Sequence, residues 1–159
     1  MTESRTGIGY DAHRFGGDGP VIIGGVTIAN PVGLVGTSDA DVAAHAICDA
    51  MLGAAALVDM GAHFPSDDDQ WAGADSMVLL AECSAMVRSS GFTVANCDVT
   101  VVAEDVRVAP HREAMRSRIA AAIGADIERI SVKATTTDGL GWIGAGEGIA
   151  AQAIVTLAR

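Results

Sequence analysis

The chain has 159 residues and a formal net charge of −10, with half of its residues hydrophobic and only 4% aromatic. That acidity excludes nucleic acid and anionic membrane as partners, because phosphate surfaces demand clustered Lys and Arg, and no run of about eighteen apolar residues offers a membrane span. The length predicts one domain over 1–159 with a real core, and an apolar excess carried by Ala, Val, Ile and Leu predicts a face buried between copies of the chain.

Taken in order, no apolar stretch follows Met1 to Arg5, so no secretory leader is expected. Residues 7–15 read as a strand, with Gly7 and Gly9 admitting another backbone at close range. Val21–Ile23 and Val26–Ile28 flank Gly24-Gly25 and read as a hairpin. Ser38 offers an N-cap, and Val42, Ala46, Ile47, Ala50, Met51 and Ala54 then recur at helical spacing. Residues 59–73 are acidic and broken by Pro and Gly, which reads as a long loop. Asp75-Ser76 caps a helix to about Ser90, Gly91 ends it, and 92–103 alternates as a strand. Pro110 opens a third helix that stops near Gly124, 130–137 is a strand, and 149–157 is a last one. This alternation gives an α/β (α+β) class with a small mixed sheet flanked by helices. Cys48, Cys83 and Cys97 are widely spaced with no CxxC, which reads as buried thiols of a cytoplasmic protein.

Chemistry concentrates in two places. Asp11 and His13 are two apart on a strand and share a face, and His45 follows on a helix. One carboxylate and two imidazoles suit Zn²⁺, with Mn²⁺ or Fe²⁺ as alternatives, and three ligands leave a coordination position open for chemistry. Asp41 and Asp49 lie one turn either side of His45 and can accept its second ring N–H. The competing reading makes these residues ordinary surface or core groups. The second place is Lys133 to Asp138, where Thr hydroxyls and a carboxylate can meet phosphate and Mg²⁺, or simply end a β-branched strand in an Asp turn. Gly139-Leu-Gly-Trp-Ile-Gly144 imitates a dinucleotide fingerprint, but the fifteen residues after it cannot complete that fold. His63 and His111 lack partners at metal spacing.

The segments 9–17, 38–46, 59–61, 64–65, 73–76, 132–138 and 146–150 together resemble the 2-C-methyl-D-erythritol 2,4-cyclodiphosphate synthase family across nearly the whole chain. The resemblance implies a homotrimer with active sites between subunits, acting on a small cytidine diphosphate substrate and releasing CMP. It implies Asp11, His13 and His45 as Zn²⁺ ligands and Asp138 as the holder of Mg²⁺ or Mn²⁺ with the substrate phosphates. Thr37 and Thr136 fall at its transition-state positions, and Ala12 and Ser38 beside the phosphates. Asp59, Met60, Gly61, Phe64, Pro65, Ser66, Asp67 and Asp68 fall in its methylerythritol pocket. Ala103, Glu104, Asp105, Val106, Arg107, Val108, Ala109 and Thr135 fall in its nucleotide pocket, and Thr137, Trp142 and Ala145 line the same site. Four departures stand out: Thr37 for the family's usual His, Ala145 for its Arg, Asp138 for the commoner Glu, and Val106-Arg107 for Pro-Lys. Two rivals stay open on sequence: a metal-stabilised trimeric binding protein, and a metallophosphohydrolase in which water attacks.

Overall fold

Strand β1 (Ser4–Asp18) organises the molecule. The computed structural model describes residues 3–159, and Met1 and Thr2 of the opening segment lie outside it. Two short strands, β2 (Val21–Ile23) and β3 (Val26–Ile28), form the expected hairpin, with Gly24 and Gly25 both at positive φ (57° and 71°) as a tight hairpin turn requires. A further strand that periodicity did not reveal, β4 (Val32–Leu34), pairs with the far end of β1. Strands β5 (Thr93–Val102), β6 (Ile130–Thr135) and β7 (Gly148–Ala158) complete a sheet in the order β4-β1-β7-β5-β6. Among the described residues only β5 and β6 run parallel, so the sheet is mixed.

Helix α1 (Val42–Ala54) lies across β1, β7 and β5, and almost all of its residues are buried. Gly7 and Gly9 make this possible: a Cβ on Gly9 would stand 1.9 Å from the Ala46 carbonyl oxygen, and one on Gly7 2.1 Å from that of Ala50. Helix backbone therefore rests directly on strand backbone. Helices α3 (Ser76–Ser89) and α4 (Arg112–Ile123) extend the same layer, α3 against α1 and α4 against β6. Cys97, Val99 and Val101 alternate with Asp98 and Thr100 along β5, and the buried set meets the helices. The other sheet face carries Ile8, Tyr10 and Ile154, which are 62%, 58% and 46% exposed in the single chain. Helices α1, α3 and α4 thus flank one face of the sheet, and the patch of Ile8, Tyr10 and Ile154 on the opposite face is left uncovered among the described residues.

Several local expectations need correction. Asp41, not Ser38, caps α1, accepting from Ala43 N and Ala44 N, because its carboxylate sits next to the first helical residue while Ser38 lies three residues too early. Residues 59–73 are not a plain loop: Asp59 caps a short helix α2 (Met60–His63), and Asp68 caps a 3-10 turn at Asp69–Trp71. Strand β6 stops at Thr135, so Thr137 and Asp138 belong to a turn, with Asp138 at φ 52°. The glycine-rich stretch after it forms one short helix, α5 (Gly141–Gly144), with no strand–helix unit beyond. The three cysteines are free and buried, as expected, and burial pushes the Cys97 thiol up to about 12.

Candidate metal centre and its surroundings

The strand period and the close seat of α1 bring Asp11, His13 and His45 together. Asp11 Oδ2 lies 2.9 Å from His13 Nε2 and 3.0 Å from His45 Nδ1, and the two ring nitrogens are 3.2 Å apart. Four-coordinate Zn²⁺ with bonds of 2.0–2.1 Å would hold its donors about 3.3 Å apart, so the triangle fits such an ion. Among the described residues this is the one set of three His, Cys, Asp or Glu side chains whose ligand atoms converge within 4.8 Å. His13 Nδ1 lies 2.8 Å from the Val35 carbonyl, an acceptor only, so Nδ1 carries a hydrogen and Nε2 faces the centre.

The triad is electrostatically tense. Burial works to raise the Asp11 pKa, but the close contacts of its carboxylate with the His13 and His45 imidazoles outweigh it and hold the carboxyl far below its ordinary value. Burial works to lower that of His13, and the Asp11 carboxylate outweighs it and lifts the imidazole above 6.5. An arriving cation competes with protons for these ligand atoms.

The helix-face partners expected for His45 do not serve it. Asp41 is fully buried and spends its oxygens on the backbone N–H groups of Gly24, Gly25, Ala43 and Ala44 at 2.7–3.1 Å, tying the hairpin to the start of α1. Asp49 accepts from Met60 N at 2.7 Å and pins α2 beneath α1, and burial raises its pKa. The second ring nitrogen of His45 instead meets two hydroxyls, Ser76 Oγ at 2.9 Å and Ser38 Oγ at 3.1 Å.

Beside the triad, His13, Ser38 and His45 form one wall of a cavity of about 150 Å³ whose other lining includes Thr37, Met60, Phe64, Ser66 and Trp71. Phe64 and Trp71 meet edge-to-face at 5.0 Å, and the Thr37 hydroxyl donates to the Ser66 carbonyl at 3.4 Å. Pro65 and Asp67 are not among the cavity's lining residues, and the carboxylates of Asp59 and Asp68 are occupied in capping. His63 hydrogen-bonds the Leu57 carbonyl at 2.7 Å and has no part in the centre. On the other side of β1 a wider cavity of about 520 Å³ is lined by Ala12, His13, Arg14 and Trp142; Ala145, at the end of α5, is not among its lining residues.

The second constellation is built separately. Glu104 Oε1 accepts from Thr137 N at 2.7 Å, Thr137 Oγ1 at 2.8 Å and Gly139 N at 3.4 Å, and these bonds keep its carboxyl ionised below the ordinary range. The turn so held presents Thr136, whose hydroxyl reaches Asp138 Oδ1 at 3.3 Å. Ala103 N bonds the Thr135 carbonyl at 3.0 Å, and buried Val106 and Val108 anchor a segment that exposes Asp105, Arg107 and Ala109. Ala12 pairs with Ala150, Ala150 with Val102, and Val102 with Thr135, so three strand spacings, about 14 Å, separate this group from the triad within one chain. Sequence reasoning missed Ser76 as a neighbour of His45, Asp39 as the partner of Ser76, and Glu104 as the anchor of the 136–139 turn. The only signals for Ser76 were its place at the head of α3 and the Gly73–Ser76 segment of the resemblance.

The chain matches the model of the YgbB family over residues 4–158. It is 55% identical to the 2-C-methyl-D-erythritol 2,4-cyclodiphosphate synthase of Paraburkholderia xenovorans (strain LB400) over 98% of both chains. It is 52% identical to the protein of that name from Alkaliphilus oremlandii (strain OhILAs), covering 98% of this chain and 99% of the relative. Among solved structures it superimposes on the bifunctional IspDF from Campylobacter jejuni with a TM-score of 0.96 and 42% identity; the match covers all of this chain and 43% of that longer one. A 2C-methyl-D-erythritol-2,4-cyclodiphosphate synthase in a CDP-bound form matches at a TM-score of 0.87 and 33% identity, over 96% of this chain and 99% of that one.

Proposed function

The chain belongs to the YgbB family, and on that premise we propose that it is a 2-C-methyl-D-erythritol 2,4-cyclodiphosphate synthase. Its substrate is 4-diphosphocytidyl-2-C-methyl-D-erythritol 2-phosphate, and it works as a single-domain lyase of the cytoplasm. An oxygen of the substrate's own 2-phosphate attacks the β-phosphorus, a new P–O bond closes the ring, and the bond to the α-phosphate breaks to release CMP. No protein nucleophile is needed; the work is to position two ends of one molecule and to neutralise charge on phosphorus.

The observation that carries this reading is the converging triad of Asp11, His13 and His45 beside a small cavity. These three would hold Zn²⁺, and Asp138 would hold Mg²⁺ or Mn²⁺ with the substrate phosphates. When bound, such cations supply positive charge that polarises phosphate oxygens in a protein of net charge −10. Ser38 and Thr37 donate hydroxyl hydrogens to phosphate from the cavity wall, Thr37 as a neutral group in place of an imidazole. The apolar rim of Met60 and Phe64 excludes water from the methylerythritol portion, with Ser66 at its edge and Gly61, Pro65, Asp67 and Asp68 beside these residues in the chain. Thr136 donates to the transferring phosphoryl group. Backbone from Ala103 to Ala109, with Thr135, receives cytosine and ribose.

The working unit is a homotrimer. Two features support it: an uncovered sheet face bearing Ile8, Tyr10 and Ile154, and the separation of the triad from the Thr135–Asp138 turn within one chain. A site between neighbours joins one copy's triad to the next copy's turn. The test is ³¹P NMR of the protein with the cytidylyl substrate, Zn²⁺ and Mg²⁺, with His13→Ala as control. Two coupled cyclic-diphosphate resonances and CMP, absent in the control, are expected. Linear phosphates would mean hydrolysis by water, and no turnover with zinc bound would make this a binding protein.

A further inference from the structure

Ser76 heads α3 and is fully buried, yet its side chain is fully engaged. Its hydroxyl lies 2.9 Å from His45 Nε2 and also bonds Asp39 Oδ1, while Asp39 Oδ2 accepts the Ser76 backbone N–H at 3.1 Å. The Asp39 carboxylate directs the hydrogens here. A carboxylate only accepts, so the single hydroxyl hydrogen of Ser76 goes to Asp39. Ser76 Oγ then offers His45 only lone pairs, and the hydrogen between them belongs to Nε2. In the neutral ring Nδ1 is left bare, and Nδ1 is the atom 3.0 Å from Asp11 Oδ2 and 3.2 Å from His13 Nε2.

We infer that Asp39 and Ser76 form a positioning relay that fixes the tautomer and ring plane of His45, so that Nδ1 points its lone pair at the metal centre. This rests on reading the triad as a zinc site. The relay replaces the helix-face carboxylates that the sequence suggested for this role, and it works from a different element, α3, some thirty residues along the chain. It has a second effect on Ser38. Ser38 Oγ lies 3.1 Å from the same Nε2 and shares that hydrogen as an acceptor, with no carboxylate bonded to it. Its own hydrogen can turn to the cavity or to Ser76 Oγ at 3.5 Å. Neither Asp39 nor Ser76 touches the reacting atoms in this scheme.

The full chain tests it with two readouts: Zn²⁺ affinity by competition against a chromophoric chelator, and ¹⁵N NMR of the imidazoles in metal-free protein. In the wild type His45 should be the Nε2–H tautomer. Ser76→Ala should lower Zn²⁺ affinity by roughly 10–100-fold and mix the tautomers, and a purely structural tether would lower thermal stability without moving either. If the alanine variant does not fold, Asp39→Asn takes its place. Its amide can donate as well as accept, which releases the hydroxyl hydrogen and should mix the tautomers with an affinity loss of about tenfold. An Nδ1–H tautomer in the wild type, or folded variants that bind Zn²⁺ within twofold of it, overturns the relay. A wild type that binds no Zn²⁺ overturns the reading of the triad and the relay with it, whereas wild-type binding beside unchanged variants overturns the relay alone.

Discussion

Replacing Gly9 by Ala probes the link between fold and site most directly. The new Cβ would stand 1.9 Å from the Ala46 carbonyl oxygen and 2.8 Å from Ala50 N, against the 3.0 Å that real Cβ atoms respect. Both contacts are backbone, so no rotamer relieves them, and α1 must withdraw from β1 by about an ångström. A gap of that size forfeits a quarter to a half of the dispersion energy across it. Overpacking of this kind costs about 3 kcal/mol, or roughly 6–12 °C in Tm for a chain of this size. The same movement carries His45, the neighbour of Ala46, away from Asp11 and His13, so Zn²⁺ affinity should fall at least tenfold. Calorimetry and chelator competition measure both. Gly53, in the last turn of α1 with nothing within 4 Å of its missing Cβ, is the control: Gly53→Ala should gain about 0.5–1 kcal/mol with Zn²⁺ affinity unchanged. A Gly9→Ala protein with wild-type Tm and affinity would refute the claim that backbone contact seats the site.

Three other outcomes are expected. In metal-free protein the raised His13 pKa stabilises the fold fully below 6.5 and is lost as pH rises through the raised value; Tm should decline across that window, and Asp11→Asn should flatten the decline. Ile8→Glu places a charge on the uncovered sheet face, and sedimentation should then report the mass of one chain, 16.1 kDa; the wild-type assembly surviving intact would count against that face as the subunit contact. Glu104→Ala removes the acceptor of three hydrogen bonds that shape the 136–139 turn. Turnover should drop by about ten- to a hundredfold while Zn²⁺ affinity holds, and equal loss of both would assign Glu104 a global role.

What the sequence made legible was whatever depends on short periods. Asp11 and His13 share a face because a strand repeats every two residues, and the Gly24-Gly25 turn follows from the backbone angles that only a tight hairpin uses. The triad itself needed one more signal, the pair of small residues at Gly7 and Gly9 that lets α1 come down on β1. Partnerships between distant segments were not legible. Asp41 looked like a neighbour of His45 on a helical wheel, but four backbone N–H groups, two of them from the hairpin, claim it first. Asp39 and Ser76 meet across 37 residues, and no spacing rule encodes that. The strand β4 escaped because Val32–Leu34 is too short to show a period and exists only by pairing with the end of β1.

The pairing of Glu3 with Arg159 has a consequence for how this chain can be built into larger ones. Their backbones exchange hydrogen bonds, and Arg5 and Arg159 close over the Phe92 ring at 4.7 and 4.6 Å. Both ends of the described chain therefore leave from one corner, ten residues of extended chain or about 33 Å from His13. A second catalytic module tethered at either end would hang from that corner without crossing the metal centre, and the longer Campylobacter jejuni chain, 43% of which this one matches, is a natural instance of two activities in one polypeptide.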